Sequence, residues 1–181
     1  MVFALAEARH TVVSPATVEH DRIRDFCDEH DVSLANVTFI VGASQDILPT
    51  LPPNPLDLVL IDGGHAFPMP FIDWYYSAIR LRVGGCLLLD DTHIRTGEIL
   101  REFLLSDTER WRLVSEVLAS AMFEKADAEV IPLQDWLGQP YCAKVRHVPG
   151  VSPPSAWQRL RNRVRLRSRL REAFGSGRLD R

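Results

Sequence analysis

The chain has 181 residues, enough for one domain with an ordinary apolar core. Hydrophobic residues make up 46% and charged residues 25%, which excludes a disordered or fibrous chain. The net charge of −3 conceals an asymmetry: residues 151–181 hold nine arginines against Glu172 and Asp180, leaving residues 1–150 at −10.

The body alternates short β-rich runs with helical stretches, the pattern of a parallel sheet covered by helices. Val2–Arg9 reads as the end of a helix and His10–Val13 as a short strand stopped at Ser14-Pro15. Thr17–His30 reads as a helix with Val18, Ile23 and Phe26 near one face. Asn36–Val41 is a second strand ending at Gly42, and a turn-rich stretch from Pro49 to Pro55 leads into the strand Leu56–Ile61. Pro70–Leu81 is predicted helical and stopped by Gly84-Gly85; Cys86–Leu89 is a buried strand and Thr96–Leu105 a helix. Trp111–Leu118 and Ala121–Lys125 read as an antiparallel pair with Ser120 near the turn. No apolar run reaches the roughly 18 residues of a membrane helix. Met1–Ala6 is too short for a signal peptide and lacks a basic lead, so a cytoplasmic location is expected. Cys27, Cys86 and Cys142 lie far apart without a CxxC pair, and Cys86 reads as a small buried hydrophobe.

Two segments carry chemistry. In Leu56-Asp57-Leu58-Val59-Leu60-Ile61-Asp62-Gly63-Gly64-His65 a strand expected to be buried on both faces ends in an acid, two glycines and a histidine. That is the sheet edge where open α/β folds bind ligands, and glycines there permit close backbone approach. Gly84-Gly85-Cys86-Leu87-Leu88-Leu89-Asp90-Asp91 repeats the pattern. Neighbouring strands would bring Asp62, Asp90 and Asp91 together, where their mutual repulsion would be relieved by a hard divalent cation such as Mg²⁺. The plainer reading of an acid after a strand is a cap for the next helix. His65 fits a general base or a loop histidine bonded to a carboxylate, and His93 offers the same choice. Phe67, Phe71 and Trp74 could wall a pocket, whereas Trp74 and Tyr75 equally fit a helix packing its aromatics on the sheet.

"VLIDGGHAF" followed by "LRVGGCLLLDD", with "VTFIVGASQDILPTLP" before them, resembles class I S-adenosylmethionine-dependent methyltransferases over roughly residues 1–125. The resemblance implies a Rossmann-like, doubly wound α/β fold: a mostly parallel, seven-stranded sheet whose last strand is antiparallel. It implies S-adenosylmethionine as cofactor and a small-molecule hydroxyl as methyl acceptor. Asp62, Asp90 and Asp91 would bind Mg²⁺ and His65 would take the acceptor's proton. Gly42, Ala43 and Ser44, together with Asp62 and Gly63, fall at cofactor-contacting positions, with Asp46 a further candidate. Ser14 stands where an acid would hold the ribose hydroxyls, with Glu19 a substitute from the next helix. The family's first strand and glycine-rich loop have no counterpart before His10, so the domain, residues 1–148, is read as N-terminally truncated. A non-catalytic remnant acting as a binding or assembly module is the alternative. A dehydrogenase is disfavoured because no GxGxxG turn occurs.

Pro149–Pro154 introduces the remainder, residues 149–181. Trp157, Leu160, Val164, Leu166, Leu170 and Phe174 would share about half of a helical wheel, with arginines filling most of the rest. Such a tail suits an anionic membrane surface, nucleic acid, the acidic body of the same or a partner subunit in a homo-oligomer, or plain solvent.

Overall fold

The computed structural model describes residues 8–128 and 139–143. The chain divides into units of residues 1–141 and 142–181, and the described architecture belongs almost wholly to the first. The helix expected over Val2–Arg9 falls almost entirely outside the described residues, as do the 148/149 boundary and the arginine-rich tail.

Strands and helices alternate as expected: β1 (His10–Ser14), α1 (Thr17–Glu29), β2 (Val37–Val41), a short α2 (Ser44–Ile47) running into a 3₁₀ turn (Leu48–Thr50), and β3 (Leu56–Ile61). Then come α3 (Met69–Ala78), β4 (Leu81–Leu89), α4 (Arg95–Ser106), β5 (Trp111–Val117), β6 (Ser120–Lys125) and a single helical turn, α5 (Pro140–Ala143). The six strands form two sheets: β1 pairs with β2 in parallel, and the other four lie in the order β3-β4-β6-β5. β3 and β4 are parallel, and β6 runs antiparallel to both of its neighbours. This is the doubly wound, mostly parallel α/β arrangement with an antiparallel last strand that the sequence predicts. Among the described residues no strand pairs with the second edge of β1 or of β3.

Helix α1 ends because Asp31 adopts a left-handed conformation (φ 53°), which lets the amide of Val32 donate back to the carbonyl of Cys27 at 2.8 Å. Its buried residues are His20 and Cys27; Val18 and Phe26, expected on the inner face, are exposed. β3 is buried on one face only, with Val59 and Ile61 inside and Leu58 and Leu60 exposed. The expectation of two-sided burial fails because, among the described residues, the second face of β3 stays exposed.

The boundary between α3 and β4 also departs from expectation. The helix stops at Ala78, and Leu81 opens a nine-residue strand that passes through Gly84-Gly85. The glycines form a bulge: the register jumps from Leu56↔Leu81 to Leu58↔Cys86, and Gly84 has φ 77°. A Cβ on Gly85 would lie 2.7 Å from Leu81 and 3.0 Å from the carbonyl of Asp57, so the glycine permits the close crossing of β3 and β4. Cys86 is half-buried and no disulfide forms.

The core lies between the four-stranded sheet and helices α3 and α4. Leu87, Leu89 and Phe123 from the sheet meet Trp74, Leu100 and Leu104 from the helices. Trp74 also packs edge-on against Phe103, with ring centroids 5.1 Å apart, which favours the packing role for this aromatic. Lys125 closes the far end of the core, its buried ammonium donating to the carbonyls of Ala78 and Leu81 at 2.8 and 2.7 Å. Among the described residues no helix is long and apolar enough to cross a membrane.

Candidate active site

Parallel pairing of β3 with β4, in the register Ile61↔Leu89, delivers the acids that follow these strands to one end of the sheet. The amide of Asp90 donates to the carbonyl of Ile61 at 3.0 Å, holding the two strand ends together. Asp62, Asp90 and Asp91 consequently offer carboxylate oxygens that all lie within 4.8 Å of one another. Asp91 has φ 52°, and the turn is backed by the start of α4, where a Cβ on Gly97 would fall 2.5 Å from the carbonyl oxygen of Asp91.

The cluster is electrostatically divided. Partial enclosure raises the affinity of the Asp62 carboxyl for its proton, although the residue as a whole is exposed. Repulsion from Asp90 and Asp91 acts in the same direction, and His65 opposes it. Asp90 is shifted downward, first by the Ser120 hydroxyl, which donates to its Oδ1 at 2.5 Å, and then by a backbone hydrogen bond from Asp91. Thr92 donates through both its amide and its hydroxyl to the carbonyl of Ala119, each at 2.8 Å. The β5–β6 turn therefore braces the acidic turn as well.

His65 stands beside this cluster, its Nε2 3.3 Å from Oδ2 of Asp91, and the Thr96 hydroxyl holds the His65 carbonyl. His93 approaches the other oxygen of Asp91 through Nδ1 at 3.6 Å. Both imidazoles thus meet a carboxylate. Phe67 is 74% exposed beyond His65, with Phe71 at a ring-centroid distance of 6.1 Å, so Phe67 is available to a ligand whereas Trp74 is committed to the core.

The remaining sequence-derived positions follow β1 and β2. Ser14 is buried and its hydroxyl faces both the Ala16 carbonyl, at 3.1 Å, and the Glu19 carboxylate, at 3.0 Å. The serine and its suggested substitute are therefore partners. Gly42, whose amide donates to the carbonyl of Ser14, leads through Ala43 into Ser44 at the start of α2. The Ser44 side chain lies near enough to Asp73 of α3 to favour its ionised carboxylate, and the Oδ2 of Asp73 would lie 3.1 Å from a Cβ on Gly63. Ser44 and Gly63 thus both neighbour the Asp73 side chain. Asp46 lies in the same short helix as Ser44, its amide donating to the carbonyl of Ala43 at 3.0 Å.

Volume alone does not mark this region. The acids, Gly63, Gly64 and His65 line only a narrow cleft, while a cavity of about 460 Å³ opens at the opposite end of the sheet beside Val83, Trp111, Arg112 and Lys125. The larger cavity lacks converging acids or histidines: Arg112 is paired with Glu124, and Lys125 with backbone carbonyls. Chemistry, not size, marks the candidate site.

Sequence reasoning missed Asp73, Thr96, Gly97 and the role of Ser120. An acid inside the aromatic stretch Phe71-Ile72-Asp73-Trp74-Tyr75 was a visible irregularity; the partnership of Ser120 with Asp90 has no local trace because it depends on β6 lying beside β4.

This fold and acidic strand-end site define a methyltransferase-type α/β domain, and the chain belongs to that family: the family model described as "Methyltransferase domain" matches residues 1–92, half of the chain. Among individual relatives, the chain is 42% identical over 66 residues to a catechol O-methyltransferase of Mycobacterium tuberculosis, a match covering 36% of this chain and 29% of that protein. The fold is shared with a Corynebacterium glutamicum protein of known structure, at a TM-score of 0.55 and 18% identity, over 68% of this chain and 63% of the other. It is shared also with the O-methyltransferase NovP, at a TM-score of 0.50 and 18% identity, over 59% and 45%. The chain thus spans less than a third of its sequence relative and about half to two thirds of these two structures.

Proposed function

We propose that the chain carries the acceptor-side machinery of an S-adenosylmethionine-dependent O-methyltransferase acting on a small-molecule hydroxyl with Mg²⁺ assistance. The observation that carries this reading is the convergence of Asp62, Asp90 and Asp91, with His65 on Asp91. An all-oxygen donor set suits Mg²⁺; Asp62 is raised first by its partial burial and then by repulsion from Asp90 and Asp91, and a cation would relieve that repulsion. When bound, the ion would supply Lewis-acid polarisation of the acceptor hydroxyl.

The chain's own residues have separable tasks. The three acids hold the cation, and Asp91 orients His65 through Nε2, leaving Nδ1 to take the acceptor's proton. Residues 42–44 and 62–63 seat the adenosine half of the cofactor. The acceptor oxygen forms a bond to the methyl carbon as the carbon–sulfur bond breaks, the electron pair returning to sulfur to give the neutral thioether. Much of the rate comes from holding oxygen, carbon and sulfur in line. Phe67, exposed beside His65, lies against the acceptor.

Calorimetric titration with S-adenosylmethionine, with and without Mg²⁺, tests the reading. Binding of both is expected, and Asp91→Asn should weaken Mg²⁺ binding about 10-fold or more, since it removes a charge from the ligand set. A chain that binds neither would instead be a methyltransferase fold serving as a binding or assembly module. Unchanged Mg²⁺ affinity in Asp91→Asn would remove that residue from the metal site.

A further inference from the structure

We infer that Asp73 is a positioning residue of the cofactor site, joining the loop after β2 to the loop after β3 through Ser44 and Gly63. The inference rests on the methyl-donor reading above. Asp73 lies on α3 between Ile72 and the core residue Trp74, and only 9% of it is exposed. Burial pushes its carboxyl upward, and the neighbouring Ser44 side chain pulls it back. Its Oδ1 is buried without a hydrogen-bond partner. An acid so placed costs stability, so packing is not its contribution.

Its placement supplies another role. β2 and β3 belong to different sheets, so no ladder of backbone hydrogen bonds fixes the ends of these strands relative to each other. Two polar side chains of the α3 segment bridge that division. Arg80, just beyond α3, donates to the carbonyls of Leu48, Leu51 and Pro52 at 2.8, 2.9 and 3.3 Å, holding the connection that leads into β3. Asp73, nearly two helical turns earlier, holds the functional end. Its Oδ2 sits against Gly63, where a Cβ would come within 3.1 Å, and Ser44 is the first residue of α2. One carboxylate therefore sets the spacing between the two cofactor-facing loops, and glycine at 63 is what lets it come so near.

The decisive experiment is calorimetric titration of the full chain with S-adenosylhomocysteine, which needs neither acceptor nor turnover, with a thermal melt of each variant. Asp73→Ala should weaken binding about 10-fold, the scale of losing one hydrogen bond to a charged group. Asp73→Asn, which keeps an acceptor for Ser44, should stay within about 3-fold of the parent. Ser44→Ala, a milder change at a half-buried loop position, should reproduce much of the Asp73→Ala loss should that variant fail to fold. Arg80→Ala is the structural comparison: it should lower Tm and leave the affinity of the folded protein unchanged. Parent-like binding by Asp73→Ala or Ser44→Ala would overturn the inference, as would an equal loss of affinity in Arg80→Ala. Failure of the parent chain to bind would overturn the methyl-donor reading and this inference with it, a different outcome from the variant results.

Discussion

The two sheets divide the work unequally. The four-stranded sheet and its helices hold every residue of the main apolar cluster, from Val59 to Phe123, along with all three clustered acids. Among the described residues, the β1–β2 side contributes Cys27 as its one fully buried apolar residue, together with buried Ser14 and His20. Both ring nitrogens of His20 lack hydrogen-bond partners, and its ring packs beside Phe39 at 5.0 Å. One side is a self-sufficient core whose backbone ladder fixes the acids; the other is a thinner layer, and the connection that follows β2 is held by Arg80 just beyond α3.

That contrast can be broken most directly in the core. Phe123→Ala, at a position with no exposure, should cost about 3–5 kcal/mol in urea unfolding. Val12→Ala on half-buried β1 should cost about 1 kcal/mol, and equal losses would show that the two sheets are one energetic unit. Gly97→Ala should cost about 1–3 kcal/mol by overpacking, because its Cβ must displace the Asp91 backbone, and should also weaken Mg²⁺ binding in a titration.

The acid cluster adds a test of sign. Because the Asp62 carboxyl is raised in the folded state, its ionisation detracts from stability as pH climbs from the ordinary carboxylate range through its elevated value. Asp62→Asn should therefore raise Tm at pH 7 without Mg²⁺, and the gain should vanish near pH 3. A gain persisting at pH 3 would trace the effect to something other than charge. The smallest effect belongs to the β5–β6 turn: Leu118, fully exposed at φ 54°, should be replaceable by glycine with a gain of about 0.5–1 kcal/mol, read as a shift in the urea midpoint.

The sequence was most legible where local pattern and tertiary role coincide. Acids that end two buried runs, Asp62 and Asp90-Asp91, announced their meeting because strand order alone could place them together. Residue environment was less legible. Leu58 and Leu60 carry the composition of a central strand yet are exposed, because cover on a sheet face comes from other elements and is not encoded in the strand itself. Gly84-Gly85 read as a stop, since a glycine pair ends a helix as readily as it bends a strand; only the pairing with β3 decides between them. Ser120 and Asp73 became functional candidates through partners 30 and 29 residues away, distances that no periodicity spans.

Lys125 gives the protein a built-in clock. The chain has only two lysines, Lys125 and Lys144, and 19 arginines, so it offers few amines to an acylating reagent. Lys125 is 3% exposed, and its ammonium is engaged with the carbonyls that end α3 and begin β4. Burial also lowers its pKa, so on release it would regain both water and its ordinary basicity. A reagent that modifies Lys125 must wait for that end of the core to open. With reagent in excess, the rate at which mass spectrometry records this adduct counts openings of the native core, chemically, without denaturant.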